Sequence, residues 1–240
     1  MATVEHGAVL GLSSGRADRF APALDEVLGE LGFTPAPATK LTRWPREDEN
    51  SRELEVSHFK TERGGWACVG TSPAMARAIA TRLAARLQVP VQVFAATARF
   101  DDRSLACTIE DRLVRADGAS MIGAFARELE DSVGGDWREL CDHKSYAAMT
   151  ALLDAAIGRW ITAPFERRDA IWLPPPSLGD RRLDELAMRI RLATRAQLTT
   201  MDGRVCVRLT TLEGATTTSF LTESELARLE PAVAGLMTKN

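Results

Sequence analysis

The first residues that could do chemistry lie in a small polar loop, residues 11–15, between a predicted strand and a predicted helix. Backbone amides at such a junction can bind phosphate, which makes Ser13, Ser14 and Gly15 candidate phosphate-binding residues. The loop lacks the Gly-Lys-Ser/Thr of a P-loop. Pro22 also moves the helix start downstream of the loop. A plain strand-to-helix turn is the favoured interpretation, and phosphate or small-molecule binding is the alternative.

A nucleophile and a base lie two residues apart in Cys141-Asp142-His143. Helix residues two apart point in different directions, so these two cannot act as a pair on a helix. Asp142 is better explained as the N-cap of a following helix. The carboxylate pairs Asp101-Asp102 and Glu110-Asp111 are sequence neighbours, which suits turns better than acid–base catalysis across a pocket. Binding is therefore favoured over catalysis.

The ligand-type residues predict neither a metal nor a cofactor. Three histidines and four cysteines occur at scattered positions, with no C-x-x-C pair. Metal sites need a closer spacing of ligands, so we expect all four thiols to be reduced and unligated. His58 alternates with Leu54 and Val56 in a predicted strand, which favours a structural role for its imidazole.

A predicted helix near residue 185 carries a cluster of five arginines: Arg181, Arg182, Arg189, Arg191 and Arg195. Such a cluster could contact phosphate backbones, so nucleic-acid binding is a third alternative. Arg181 precedes Glu185 by four residues, and Glu185 precedes Arg189 by four. This is the spacing of ion pairs on one helix face, which makes a nucleic-acid role less favoured.

The candidate partner-binding residues are Trp44, Arg43, Arg46, Arg82 and Arg86. The first three lie in a polar, proline-containing segment that we expect to be exposed, and Trp and Arg dominate interface hot spots. Trp172, ahead of a proline run, is a similar case. Arg82 and Arg86 fall beside the apolar stripe of a predicted helix, where they could present charge to a partner.

Composition bounds the class of protein. The chain has 240 residues, 45% of them hydrophobic, and a net charge of −3, which fits a globular protein and argues against a generally basic nucleic-acid binder. Its start lacks a basic, apolar signal segment, and Asp154 interrupts the best apolar run. Abundant Ala and Arg suggest a GC-rich bacterial source. We therefore expect a bacterial cytoplasmic protein without a membrane span.

The predicted fold class is α+β. Strand, helix, strand, strand, helix, strand follow one another in the N-terminal half, the split βαβ order of a ferredoxin-like βαββαβ sandwich over residues 7 to 95. Segments 105–109 and 113–116 are predicted to pair as an added hairpin. The predicted division falls after residue 118, giving a ferredoxin-like α+β domain over 1–118.

Residues 119–240 are predicted to be a helix-rich α+β region, either separate or packed as one unit with the first. A helix is expected from Ala119 to Asp131 and another from Asp142. Beyond the proline run, a helix over 183–190 precedes paired strands at 204–209 and 216–221. Thr222 and Glu225 form a capping box for the last helix.

One segment resembles a known group of proteins. The strand Gly65 to Gly70, the helix starting at Ser72-Pro73, the strand Val89 to Phe94 and the strands up to Asp117-Gly118 resemble small bacterial ferredoxin-like proteins of poorly known role, some of them similar to immunity proteins of contact-dependent toxin systems. The resemblance covers residues 65–118 and implies protein binding without catalysis. The leading hypothesis is therefore a protein–protein interaction module, immunity-like or an assembly adaptor, that binds another protein.

Overall fold

The computed structural model describes residues 4–13, 16–37, 53–100, 105–123, 158, 161, 164–211 and 214–239. The chain forms two compact units, Met1–Pro174 and Pro175–Asn240. Each combines helices with mainly antiparallel strands, so the predicted α+β class is confirmed. The predicted division after residue 118 falls inside the first unit, and the independent folding of residues 1–118 stays a prediction.

The first unit is built on an eight-stranded sheet. Its strands are β1 (Val4–Ser13), β2 (Thr34–Pro35), β3 (Leu54–Thr61), β4 (Gly64–Val69), β5 (Val91–Phe100), β6 (Leu105–Val114), β7 (Ser120–Ile122) and β8 (Glu166–Leu173). They lie in the order β2-β8-β3-β4-β1-β5-β6-β7. All neighbouring strands in this order are antiparallel.

Two helices, α1 (Ala17–Glu30) and α2 (Pro73–Leu87), pack against each other and against this sheet. The start of α2 is as predicted, because Ser72 Oγ accepts the backbone N–H of Met75 at 3.3 Å and Pro73 occupies the first helical position. α1 begins at Ala17, downstream of the loop at residues 11–15, and Pro22 lies in its second turn.

The predicted hairpin between residues 105–109 and 113–116 is wrong. Residues 105–114 form one continuous strand, β6, which pairs along its whole length with β5 from Phe100 back to Val91. β5 extends five residues beyond its predicted end at Ala95, and this longer partner keeps β6 extended.

The helix predicted from Ala119 is also wrong at its start, where residues 120–122 form β7. A tight turn causes the difference. The N–H of Gly118 donates to the carbonyl of Arg115 at 3.0 Å, and Gly118 takes a left-handed φ of +81°. This is a three-residue hairpin loop with glycine at its left-handed position, and it returns the chain alongside β6. Residues 124 to 131 lie outside the described part of the chain.

Strand β8 was not predicted. It pairs with β3 and β2, and Ser57 Oγ on β3 donates to Asp169 Oδ1 on β8 at 2.8 Å. Arg167 Nε donates to the same Asp169 oxygen at 3.0 Å. Trp172, which was compared with Trp44 as an interface residue, is buried within this strand.

The second unit packs two helices on a four-stranded sheet. Its elements are α3 (Arg181–Leu192), β9 (Arg195–Met201), β10 (Arg204–Thr210), β11 (Thr216–Phe220), α4 (Glu223–Ala232) and β12 (Thr238–Lys239). The order is β11-β10-β9-β12, with β12 parallel to β9. One core of buried aliphatic side chains, including Leu183, Val207 and Leu229, joins helices and strands.

The predicted capping box of the last helix is confirmed. Thr222 Oγ1 accepts the N–H of Glu225 at 3.2 Å, and Glu225 Oε2 accepts the N–H of Thr222 at 2.7 Å. Over the described residues, none of the helices is both long and apolar enough to cross a membrane.

Candidate interaction site at the sheet edge

Five candidate binding residues lie outside the described residues, and their roles stay predictions: Arg43, Trp44, Arg46, Ser14 and Gly15. The Asp101-Asp102 pair and the Cys141-Asp142-His143 segment lie outside the described residues as well. Ser13 is the last residue of β1, where it lies opposite Gly64 of β4.

In β1, the strand before this loop, the backbone of Gly11 lies in close contact with the Trp66 side chain. Gly11 lies opposite Trp66, whose indole fills the space above it. A Cβ on residue 11 would lie 1.7 Å from Trp66 Cζ3, so glycine is required there. Trp66 is itself fully buried. Gly11 therefore has a packing role in the core.

Arg82 and Arg86 lie where α2 meets α1. The Arg86 guanidinium bonds to both Glu26 and Glu30 of α1. Arg82 Nη1 donates to the carbonyl of Ala78 at 3.3 Å. Burial lowers the pKa of Arg82, while Glu30 acts in the opposite direction. Arg86 thus holds the two helices together, and a role for either arginine in partner binding stays a prediction.

The arginines of α3 are bonded within their own unit. The prediction that Arg195 lies on this helix is wrong, because the helix ends at Leu192 and Arg195 is the first residue of β9. Arg182 Nη2 donates to the carbonyl of Phe220 at 2.7 Å, and Arg189 Nη2 to Thr217 Oγ1 at 2.7 Å. The remaining contacts are Arg181 Nε to Glu185 Oε1 at 2.9 Å and Arg191 Nη2 to the Ala232 carbonyl at 2.5 Å. The bonds of Arg182, Arg189 and Arg191 connect α3 to β11 and α4, and that of Arg181 lies within α3.

The carboxylates of Glu110 and Asp111 are neighbours on β6 and therefore point to opposite faces of the sheet. Glu110 pairs with Arg77 of α2 at 2.9 Å and with Arg112 at 2.8 Å. Asp111 accepts a hydrogen bond from Gln92 Nε2 at 2.5 Å. Two carboxylates separated by a sheet cannot act together on one substrate.

Two of the four cysteines have described side chains, Cys68 and Cys206, and both are free and buried. Burial raises the pKa of the Cys68 thiol, so this thiol stays protonated and is a poor nucleophile. Among the residues that the structure describes, no three or more His, Cys, Asp and Glu side chains are grouped so that they could hold a metal ion.

His58 is buried, with 5% of its surface exposed, and its ring stacks on Phe20 of α1. Its Nε2 atom has no hydrogen-bond partner. Burial, reinforced by the Arg168 guanidinium, lowers the pKa of His58 from 6.5 to about 4, against the opposing carboxylates of Asp25 and Glu166. The neutral ring packs as part of the core, in agreement with the structural role expected from its strand.

The surface feature that stands apart is β7, the outermost described strand on one side of the large sheet. Ile122 is 87% exposed and Met121 52% exposed. The segment from Ala119 to Gly123 contains neither a charged residue nor a proline. Natural sheet edges are commonly protected by such residues, so an apolar edge without them is suited to pairing with another strand.

The backbone of β7 also has groups available for pairing. The pairs Arg115–Ala119 and Asp111–Gly123 are hydrogen-bonded across β6 and β7. Hydrogen-bonded and non-bonded pairs alternate in an antiparallel ladder, so Met121 directs its N–H and C=O toward Leu113. Ser120 and Ile122 consequently direct theirs away from β6, toward the side of β7 on which no other described strand lies.

Sequence reasoning missed this edge. The only local signal was Asp117-Gly118, a dipeptide typical of hairpin turns, which should have predicted a strand after it in place of a helix. Comparison of the chain with protein-family models, with curated proteins and with solved structures found no match.

Proposed function

We propose that this chain is a protein-interaction module of the bacterial cytoplasm, immunity-like or an assembly adaptor, that binds a partner by accepting an extended segment along β7. The observation that carries the proposal is the exposed, uncharged edge with Met121 and Ile122 at its surface. Strand addition uses backbone hydrogen bonds for affinity and alternate side chains for specificity, and β7 offers both.

Other features support this proposal over the alternatives. The four arginines of α3 have bonding partners within their own unit, which favours a protein partner over nucleic acid. The free thiols of Cys68 and Cys206 suit a reducing compartment such as the cytoplasm.

For the first unit we propose a ferredoxin-like βαββαβ core. Its support is the strand order β3-β4-β1-β5, the antiparallel pairing of each neighbour, and the packing of α1 and α2 against each other and the sheet. An experimental structure with α1 and α2 on opposite faces of the sheet would contradict this arrangement.

The binding function is tested by replacing Ile122 with proline. The Ile122 N–H points away from β6, so Ile122→Pro removes a donor from the open edge and keeps the hydrogen bonds to β6. Ile122→Val, which keeps both the donor and an apolar side chain, is the matched control. Each protein is immobilised and exposed to lysate of the source cells, and retained proteins are quantified by mass spectrometry.

We expect a protein that is retained by the parent and by Ile122→Val to be lost with Ile122→Pro. The free energies of unfolding of the three chains, obtained from thermal melts, should agree to within about 0.5 kcal/mol. Recovery of the same proteins with all three chains would overturn the proposal.

A further inference from the structure

This inference rests on the proposed function of β7 as a strand-pairing edge. We infer that β7 pairs with β7 of a second copy of this chain. The two copies form a two-fold symmetric dimer in which two eight-stranded sheets join into one. Such a contact is isologous, with the same patch used on both copies.

The register follows from the backbone. Ser120 and Ile122 carry the outward-facing N–H and C=O groups, and Met121 lies between them. An antiparallel pair centred on Met121 places Ser120 of each copy opposite Ile122 of the other. All four outward N–H groups of the two strands then meet outward carbonyls, and a two-fold axis passes between the two Met121 residues.

The side chains suit this register. Met121 lies beside Leu113 of β6 on one face of the sheet. The dimer would extend this pair into a row of four apolar side chains across the joined sheet, Leu113 and Met121 of each copy. Methionine residues in such a non-hydrogen-bonded pair have Cα atoms about 4.5 Å apart and contact directly.

The charges near the edge do not oppose this pairing. Arg112, beside Ile122 on β6, is ion-paired with Glu110 at 2.8 Å and donates to Ser120 Oγ at 3.3 Å. The strand itself is three residues long, so the contact is far smaller than the roughly 1,200 Å² of a stable interface. The association is accordingly weak, with a Kd in roughly the micromolar-to-millimolar range.

The two-fold register predicts a charge-exchange experiment at residue 121. Met121→Lys places two ammonium groups opposite each other, and Met121→Glu two carboxylates, so each variant alone should associate at least tenfold more weakly than the parent. Mixing the two variants places Lys opposite Glu and should restore association. Met201→Lys, at an exposed methionine of the second unit, is the control and should associate like the parent.

Sedimentation equilibrium from about 10 µM to 1 mM measures each case, between the 26.2 kDa mass of one chain and twice that value. A parent that stays monomeric throughout, single variants that associate like the parent, or a mixture that stays monomeric would each overturn the dimer. A monomeric parent that still loses a retained protein on Ile122→Pro leaves the proposed function intact. If Ile122→Pro retains the same proteins as the parent and the charge exchange still works, the binding of a different protein along β7 is overturned, while strand pairing along β7 between two copies stands.

Discussion

The imidazole of His58 on β3 stacks on the ring of Phe20 on α1, with centroids 5.7 Å apart and planes inclined by 26°. This contact places a titratable ring between the sheet and the first helix, where its charged form is disfavoured. The orphaned Nε2 atom adds to the cost, because a protonated ring would bury an N–H donor without an acceptor.

Stability should therefore fall as the pH drops. His58 has a folded pKa of about 4 and an unfolded value of 6.5, so above pH 6.5 it is neutral in both states. Between these values only the unfolded chain takes the proton, which should lower the free energy of unfolding by about 3 kcal/mol at pH 4. His58→Phe keeps the ring packing and removes the titration. In urea unfolding from pH 7 to 4, the free energy of unfolding of His58→Phe should rise by this amount relative to that of the parent. A difference between the two proteins that does not change with pH would show that His58 does not cause the pH dependence.

Two glycine-to-alanine changes should alter the free energy of unfolding in opposite directions. Gly11→Ala introduces a Cβ into the Trp66 ring, and overpacking of this kind costs about 1–3 kcal/mol or more. Gly29 lies in α1 and has nothing within 4 Å of an added Cβ, so Gly29→Ala should stabilise by about 0.5–1 kcal/mol. Chemical unfolding of both variants measures the difference. Equal effects would contradict the close approach of Trp66 to β1.

The capping box of α4 should account for about 1 kcal/mol of the stability of the second unit. Thr222→Ala removes the hydroxyl that accepts the Glu225 N–H, while Thr222→Ser retains it. Hydrogen exchange of the α4 amides should be faster in the alanine variant and near the parent rate in the serine variant. Equal rates in both would show that the cap contributes nothing.

Trp44 remains the best sequence-based candidate for a second contact with the partner. Trp44→Ala should leave the free energy of unfolding within about 0.5 kcal/mol of the parent, since the change is expected at the surface. It should weaken binding of the retained partner by about 2 kcal/mol, the scale of a hot spot. Thermal melts and titration calorimetry on the same variant separate the effects. A variant that melts early, or that binds as tightly as the parent, rules out this role.

Local signals in the sequence predicted their elements well. The serine and proline that start α2 and the capping box that starts α4 act within four residues, so no knowledge of the fold is needed to interpret them. The two paired strands β3 and β4 were likewise predicted, β3 from the alternation of Leu54, Val56 and His58 and β4 over Gly65 to Gly70.

Elements that depend on distant partners were missed. β8 begins Glu-Arg-Arg-Asp, a poor strand pattern, and is held by its pairing with β3. β9 was missed, and its first residue, Arg195, was placed on the arginine-rich helix, although Ala196 and Leu198 alternate with polar residues. β7 is too short for any period to be detected, so the candidate site could be located only after the sheet was known.

The pairing of β3 with β8 also has a consequence for synthesis. Ser57 and Asp169, which bond across these strands, are 112 residues apart. A ribosome adding about 5–20 residues per second delivers β8 roughly 6–22 s after β3. During that interval the nascent chain carries β3 without its outer neighbour. Slowing translation between these strands should lengthen the exposure of this edge and increase aggregation of the newly made protein.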